Sequence, residues 1–446
     1  MSRIENVQER LQRDYRLRVL RIYMDTTSSE KPLAVFTLTL GSGLEVALLT
    51  ASMPELGFDE RARDTRDGSL ALPDRFAVPA HVTEALKAWL AEDAAPAEPL
   101  WMRLSVPLGL LAAIPWEELL QPVLRVPILR LPYQALMPRI PPADIDTVVC
   151  ISSPHDEPGL DERIEGFIHE VPMELAQATR FHLFGNSAMH AMLCAVKQRY
   201  EDQVWIQVYD PGQAGKIRRP GTNPWLAWME AEMGQGSTDV VHFLCHGAQE
   251  LDEGSLLLAA DPVDGGLPAC VLDRETLITF LDHLGAWCVA FTSAPAERSA
   301  AGMRLLQTAV AQHRPGPVLV HDMNVAGSRA ALRAAYRFLF NHPCPPPAVA
   351  AVALYCHPTL LAAHEDDQVS REQLARFTLD RRLGGKVSNP RIPWLASSQR
   401  KLEATAGELA DAVGEGAVGR ARARKLVLNA LAMQAAPKRS RRGRSK

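Results

Sequence analysis

The sequence predicts an α/β protein built around a mostly parallel β-sheet with helices on both faces. The main observation is a regular alternation of short apolar strands and longer helical stretches from residue 147 onward. These strands are continuously apolar, which is typical of strands buried on both faces. At 47% hydrophobic residues, the 446-residue chain has enough apolar material for such a core.

The core segment contains six predicted strands separated by six predicted helices. The strands are predicted at residues 147–152, 204–209, 239–245, 286–292, 317–321 and 349–356. The helices are predicted at residues 161–178, 186–199, 223–233, 273–283, 300–313 and 327–340. A short apolar run at 256–260 is interpreted as a hairpin or edge element.

Smaller segments flank this core on both sides. Strand patterns at 16–24, 34–40 and 45–50 with a helix at 80–92 predict an N-terminal α+β module. The Pro-rich passage 107–142 predicts strands and turns, since each proline disfavours helix at the residue before it. We therefore divide the chain into the module at 1–100, the α/β domain at 101–360, a helical C-terminal region at 361–436 and a disordered basic tail at 437–446.

Charge and composition limit the classes of partner. The net charge of −4 gives no general attraction to nucleic acid or membranes. Six of the last ten residues are basic, so the tail predicts weak, salt-sensitive anion binding without a specific nucleic-acid site. No apolar run approaches the roughly 18 residues of a membrane span, and the charged N-terminus predicts no signal peptide. Seven irregularly spaced cysteines predict reduced thiols, which indicates a cytoplasmic protein.

The segment that best suits chemistry is DVVHFLCHG, residues 239–247. An apolar strand that ends in His-Gly places the imidazole of His246 at the carboxyl edge of a parallel sheet, where open α/β sheets build their sites. Gly247 is expected to permit a sharp turn after the strand. His242 lies in the middle of the same strand, and we interpret it as a hydrogen-bonded core histidine.

A second sheet edge follows about 48 residues later, in AWCVAFTSAPAERSAAG at 286–302. Here a strand enters a turn at Pro295, and a helix is predicted to begin near Ser299. The first turn of a helix offers free backbone N–H groups, which suit an oxyanion or a thiolate. The two edges together predict a dyad with a base on one strand and a nucleophile on the next.

These segments resemble CHAT domains, the bacterial peptidases related to caspases and separase. The matching motifs are VVHFLCHG for the histidine, AWCVAFTSA for the nucleophile strand, GPVLVHDMNV for the following strand, AALRAAYRFLFN for the next helix and PLGLLAAIPWEELLQPVLRVP upstream. The resemblance covers roughly residues 100–360 and implies a caspase-like sheet in the domain at 101–360. It also agrees with the caspase spacing, in which the histidine precedes the nucleophile by about 50 residues.

The resemblance implies that His246 is the catalytic base and that position 294 carries the cysteine nucleophile. This chain has Ala294 there, and a methyl group cannot attack a carbonyl. An engineered change and a natural loss both stay open, although Pro295 and its charged neighbours favour a natural loss. Ser293 is a possible substitute, but strand alternation is expected to point its side chain away from the site.

Other side chains complete the set of candidates. Gly247 and Asp261 are expected to line the substrate cleft; a solvated acidic loop is the alternative for Asp261. His321 and Asp322 follow a strand end but lack a third ligand, so no metal site is predicted. The sequence contains no phosphate-binding glycine loop, and no cofactor is predicted.

Two functions remain from the sequence. The first is a catalytically degenerate peptidase that binds a protein or peptide partner, as a signalling module in a bacterial conflict or defence pathway. The second is an active endopeptidase that cleaves a partner protein with His246 and a non-standard nucleophile. Ala294 favours the first. The sequence does not identify the partner, the cleaved bond or the oligomeric state.

Overall fold

A computed structural model describes residues 7–26, 32–58, 75–92, 98–106, 108–134, 144–152, 160–217, 222–234, 238–250, 252–263, 269–293, 297–341 and 344–362. All of these residues belong to one compact unit, Met1–Lys386. The strands are β1 (Val19–Asp25), β2 (Leu33–Thr39), β3 (Glu45–Ser52), β4 (Leu100–Ser105), β5 (Ile128–Arg130), β6 (Asp144–Ile151), β7 (Ala178–Gly185), β8 (Trp205–Val208), β9 (Val240–Glu250), β10 (Glu253–Leu258), β11 (Cys270–Leu272), β12 (Cys288–Ser293), β13 (Val318–Asp322) and β14 (Val352–Tyr355). The helices are α1 (Val7–Asp14), α2 (Ala80–Glu92), α3 (Trp116–Leu124), α4 (Leu160–Met173), α5 (Ser187–Tyr200), α6 (Pro224–Met233), α7 (Arg274–His283), α8 (Glu297–His313), α9 (Ser328–Phe340) and α10 (Thr359–Ala362).

One large mixed sheet organises these elements. Its strand order is β3-β2-β1-β4-β5-β14-β13-β12-β9-β6-β7-β8, and β10 and β11 extend from β9 as an antiparallel hairpin. The six strands from β13 to β8 are parallel to their neighbours, whereas β14 is antiparallel to β13. The predicted α/β fold with a mostly parallel sheet is therefore confirmed.

Two apolar clusters, one on each face, hold the parallel strands between helices. Val240 and Leu244 of β9 pack on the face covered by α4, α5 and α9. The alternate residues Val241 and Phe243 pack on the face covered by α6, α7 and α8. Because both faces are buried, the strands carry continuous apolar runs. These runs are the pattern that predicts the parallel sheet from the sequence.

A third cluster fills the N-terminal part of the sheet. It contains Leu20, Phe36 and Trp116, and it also includes Ala301 and Leu305 from α8. β1 pairs in parallel with β4, so strands on both sides of residue 100 belong to the same sheet. The division of the chain at that residue stays a prediction. The predicted helical region beyond residue 362 and the basic tail lie outside the described residues.

Several elements differ from the sequence prediction. β7 was not predicted, and the helix expected at 161–178 ends at Met173 instead. α1 was also not predicted. α3 lies in the Pro-rich passage that predicted only strands and turns, and it contains Pro122. Its buried stripe, which includes Trp116 and Leu120, shows that packing outweighs the local cost of the proline.

A buried ion pair joins α3 to β5 beneath α8. Arg130 is fully buried, and its guanidinium donates to both carboxylate oxygens of Glu117 at 2.6 and 2.8 Å. Burial opposes the charge of Arg130, but the Glu117 carboxylate outweighs it and raises the arginine pKa. None of the described helices has the length and apolar character needed to cross a membrane.

Candidate functional site

His246 lies where β9 leaves the parallel sheet. β9 pairs in parallel with β12 up to Cys245, and from His246 onward it pairs antiparallel with β10. The His246 side chain is partly exposed at this edge. The sequence prediction that the strand ends at residue 245 was wrong, because β9 continues to Glu250. The run predicted as a hairpin or edge element is β10.

Gly247 serves close packing and not a sharp turn, which corrects the sequence expectation. Its amide donates to Ser299 Oγ at 2.7 Å, at the start of α8. A β-carbon on Gly247 would lie 2.8 Å from the backbone nitrogen of Met303, and one on Gly254 of β10 would lie 2.5 Å from that of Leu306. Helix α8 therefore rests directly on the backbone of the β9–β10 hairpin, where only glycine fits.

The contact of Gly247 with α8 also fixes the direction of His246. Successive side chains of a strand point to opposite faces, so His246 faces away from α8. Ser293, at the end of β12, lies on the α8 face, where its hydroxyl donates to Asp322 Oδ1 at 3.4 Å. Asp322 in turn lies 3.6 Å from Arg304 of α8. The structure thus places Ser293, which is fully buried, on the opposite face from His246.

Ala294 lies outside the described residues, which resume at Glu297 with α8. β12 ends at Ser293, directly beside Cys245 of β9. The position that the family resemblance assigns to the nucleophile therefore follows the strand next to the one that carries His246. That position 294 lies close to the His246 imidazole stays a prediction.

A chain of buried hydrogen bonds lies behind this edge. Tyr336 Oη lies 2.8 Å from His242 Nδ1, and His242 Nε2 lies 2.6 Å from Thr292 Oγ1. Thr292 Oγ1 lies 3.2 Å from His321 Nδ1, and His321 Nε2 lies 3.0 Å from the Ser328 carbonyl. All four hydrogen bonds form if each group donates to the next, from the Tyr336 hydroxyl to the Ser328 carbonyl. Both imidazoles are neutral in this arrangement.

Burial explains why these imidazoles are neutral. It lowers the pKa of His242 to about 3, with a smaller effect from His321. It also lowers the pKa of His321 to about 4. The interpretation of His242 as a hydrogen-bonded core residue agrees with this geometry. The partners Thr292 and Tyr336 lie 50 and 94 residues away in the chain, and no local signal in the sequence indicates them.

Cys245, beside His246, and Cys356, directly after β14, are both buried. Cys245 adjoins His246 but points to the opposite face, and burial raises its thiol pKa well above the usual value. Cys356 has a raised pKa for the same reason. Its neighbour His357 is also buried, which lowers the imidazole pKa to about 4. A buried thiol with a raised pKa is a poor nucleophile.

Asp261 lies in the loop after β10 at the same carboxyl edge. Its Oδ1 accepts the amide of Val263 at 2.7 Å, which shapes the turn. The adjacent Pro262 carbonyl accepts the amide of Ser187 at the start of α5, at 3.0 Å. The carboxylate thus has a local structural role, and a role in substrate binding stays a prediction.

A row of side chains extends from His246 across the hairpin. His246 pairs with Leu257 of β10, and Leu257 pairs with Val271 of β11. Directly opposed residues of antiparallel strands point to the same face, so the three side chains form a row on the face away from α8. Leu257 is partly exposed, and Val271 is 58% exposed. We call His246, Leu257 and Val271 the hairpin platform.

The remaining observations concern metals and relatives. Within the described ranges, no group of three or more His, Cys, Asp or Glu side chains is arranged to hold a metal ion. Neither a scan against protein-family models nor a search of the curated proteins finds a match for the chain. The candidate site is therefore defined by its own geometry, at the edge where His246 begins the β9–β10 hairpin.

Proposed function

We propose that this chain is a CHAT-like, catalytically degenerate peptidase that binds an extended peptide segment of a partner protein on the hairpin platform. It would act as a signalling module in a bacterial conflict or defence pathway, as the family resemblance implies. The observation that carries the binding proposal is the row of His246, Leu257 and Val271 on one exposed face of a small antiparallel sheet.

The platform has the properties of a peptide-binding surface. Two aliphatic side chains and an imidazole lie about 5 Å apart along the row, which matches the spacing between neighbouring strands. β11 pairs only with β10 among the described strands, so its outer edge offers backbone groups to an added strand. Extended peptides bind sheet edges through main-chain hydrogen bonds, while alternate side chains enter neighbouring pockets.

The positions of the two described candidates Ser293 and Cys245 support a degenerate site. Ser293 ends β12, and Cys245, with which it pairs, adjoins His246 in β9. Both side chains are buried on the opposite face of the sheet. Ala294 carries no reactive group. Neither Ser293 nor Cys245 is therefore placed to act as a nucleophile with His246.

The first experiment restores the nucleophile. The unmodified chain, His246→Ala, Ala294→Cys and the double variant Ala294→Cys with His246→Ala are incubated with a peptide library, and cleavage is followed by mass spectrometry. We expect cleavage only by Ala294→Cys. Cleavage by the unmodified chain that His246→Ala abolishes would contradict the degenerate assignment and establish the active endopeptidase.

The second experiment tests the platform directly. Peptides selected from a random library against the unmodified chain are titrated against Val271→Glu and against Leu48→Glu. Leu48 of β3 is 63% exposed, so it matches Val271 in exposure and strand context but lies far along the sheet. We expect Val271→Glu to weaken binding at least tenfold, about 1.4 kcal/mol, and Leu48→Glu to leave it unchanged. Equal affinities of both variants would contradict the platform.

A further inference from the structure

The C-terminal end of α1 has an unusual residue in a left-handed backbone conformation. The amide of Leu17 donates to the carbonyl of Gln12 at 3.0 Å, and that of Arg16 donates to the carbonyl of Arg13 at 3.3 Å. These two hydrogen bonds define a Schellman motif with Arg16 at the left-handed position, where φ is +50°. Glycine is the usual residue there because a β-carbon is unfavourable in this conformation.

Arg16 lines an open cavity at the surface of the described part of the chain. This cavity has a volume of about 770 Å³ and lies between α1 and the turn that joins β2 to β3. A β-carbon on Gly41 of that turn would lie 2.8 Å from the carbonyl oxygen of Arg16. The turn and the end of α1 therefore touch through their backbones, and this contact holds Arg16 at the cavity wall.

The groups around the cavity are mainly hydrogen-bond donors. Within the described residues, the Arg16 guanidinium makes no hydrogen bond or ion pair, and the amides of Gly41 and Ser42 donate none. Arg13 adds a second guanidinium, which also contacts Asp14 at 3.2 Å. The Glu9 carboxylate at the rim accepts from Arg103 at 3.1 Å, which balances its charge.

The hydrogen bonds at the C-terminal end of α1 reduce its electrostatic repulsion of an anion in the cavity. Uncapped carbonyls would give the C-terminus of α1 a partial negative charge. Here the carbonyls of Leu11, Gln12 and Arg13 already accept the amides of Tyr15, Leu17 and Arg16. The residues that line the cavity thus carry two guanidiniums, two backbone amides that donate no hydrogen bond and a hydroxyl, beside the Glu9 carboxylate. This set of donors suits a ligand with several anionic oxygens.

We propose that this cavity binds the phosphate group of a small phosphorylated molecule and that Arg16 contacts that group. Its volume lies within the roughly 300–1,000 Å³ of small-molecule sites. β2 and β9 are seven strand positions apart, about 34 Å along the sheet, so this site is separate from the hairpin platform.

Arg125 provides a matched control. It occupies the left-handed position at the end of α3 with φ of +57°, its amide donates to Gln121, and its side chain is exposed. It does not line the cavity. Arg16→Gly and Arg125→Gly therefore remove the same charge and the same backbone strain, but only the first removes a cavity side chain.

The experiment titrates the full chain, Arg16→Gly and Arg125→Gly with pyrophosphate at low salt by calorimetry and measures the Tm of each protein without ligand. We expect both variants to have a raised Tm, Arg16→Gly to bind pyrophosphate at least tenfold more weakly and Arg125→Gly to bind it like the unmodified chain. A nucleoside diphosphate and phosphatidylglycerol vesicles distinguish a soluble ligand from a lipid headgroup.

Three outcomes would overturn the proposal. The first is an unmodified chain that binds neither pyrophosphate nor the nucleoside diphosphate. Binding to the vesicles alone would also overturn the proposal, because it indicates a lipid surface. The second is an Arg16→Gly variant that binds pyrophosphate as well as the unmodified chain does. The third is a lowered Tm for Arg16→Gly beside a raised Tm for Arg125→Gly, since Arg16 would then stabilise the fold itself.

Discussion

Acidification below pH 6.5 is expected to destabilise the fold through three buried histidines. Burial lowers the pKa of His242 to about 3 and those of His321 and His357 to about 4, from an ordinary value of 6.5. The unfolded chain therefore binds protons in a range where the folded chain does not. The stabilisation is fully present above pH 6.5 and is lost as the pH falls toward the folded pKa values.

The free energy of unfolding that is lost on acidification is large relative to the stability of a domain. A pH of 5 is about 1.5 units below the unfolded pKa of each histidine. Each histidine therefore lowers the free energy of unfolding by about 2 kcal/mol at this pH. Three histidines give about 6 kcal/mol as an upper value, since His242 and His321 interact through Thr292. Typical stabilities are about 5–15 kcal/mol, so acidification to pH 5 is expected to remove a large share of the free energy of unfolding.

Urea unfolding at pH 8, 6.5 and 5 measures this loss as a shift of the midpoint. His242→Gln should reduce the difference in unfolding free energy between pH 8 and pH 5 by about 2 kcal/mol, because one titrating group is removed. The exposed His313 at the end of α8 is the control, and His313→Gln should change the difference less than His242→Gln does. An equal pH dependence in the unmodified chain and His242→Gln would refute the reasoning.

Three further predictions concern packing, charge and thiol exposure. Gly302→Ala should destabilise the fold by several kcal/mol in urea unfolding, because its β-carbon would lie 2.6 Å from the carbonyl carbon of Ala248; a loss below about 1 kcal/mol would show that α8 can shift. Arg130→Met should cost about 3–5 kcal/mol because it leaves the Glu117 carboxylate buried and unpaired, and the double variant with Glu117→Leu should recover most of this. Iodoacetamide with mass spectrometry should label only Cys194 and Cys270 among the described cysteines in the native protein, and rapid labelling of a buried cysteine would contradict the described core.

Local patterns were sufficient for much of the fold. The continuous apolar runs of β6, β9, β12 and β13 indicated parallel strands buried on both faces, and the helix at Ala80–Glu92 was predicted with the same bounds. The pattern failed where tertiary contacts decide. β7, in which apolar residues alternate with polar ones, was not predicted. α3 forms despite Pro122 because its apolar stripe packs in the N-terminal core.

The candidate site was predicted only in part. The His-Gly pair at a strand end indicated His246 as a candidate. Strand alternation predicted that the Ser293 side chain points to the face of the sheet opposite His246. The sharp turn expected at Gly247 was wrong, since no local signal tells a turn glycine from one that a helix contacts. The hairpin platform also required the register between β9, β10 and β11, because Val271 meets His246 only through Leu257.

The sequence by itself determined the fold class, the continuous apolar strands and the position of His246 on one of them. These follow from side-chain periodicity and apolar content, which act over a few neighbouring residues. Only the tertiary structure decided which residues meet: Gly247 with α8, Thr292 between two imidazoles, and Arg16 beside the turn of Gly41. The reason is physical, because such contacts depend on strand order and on helix packing across long separations in the chain, which no local pattern records.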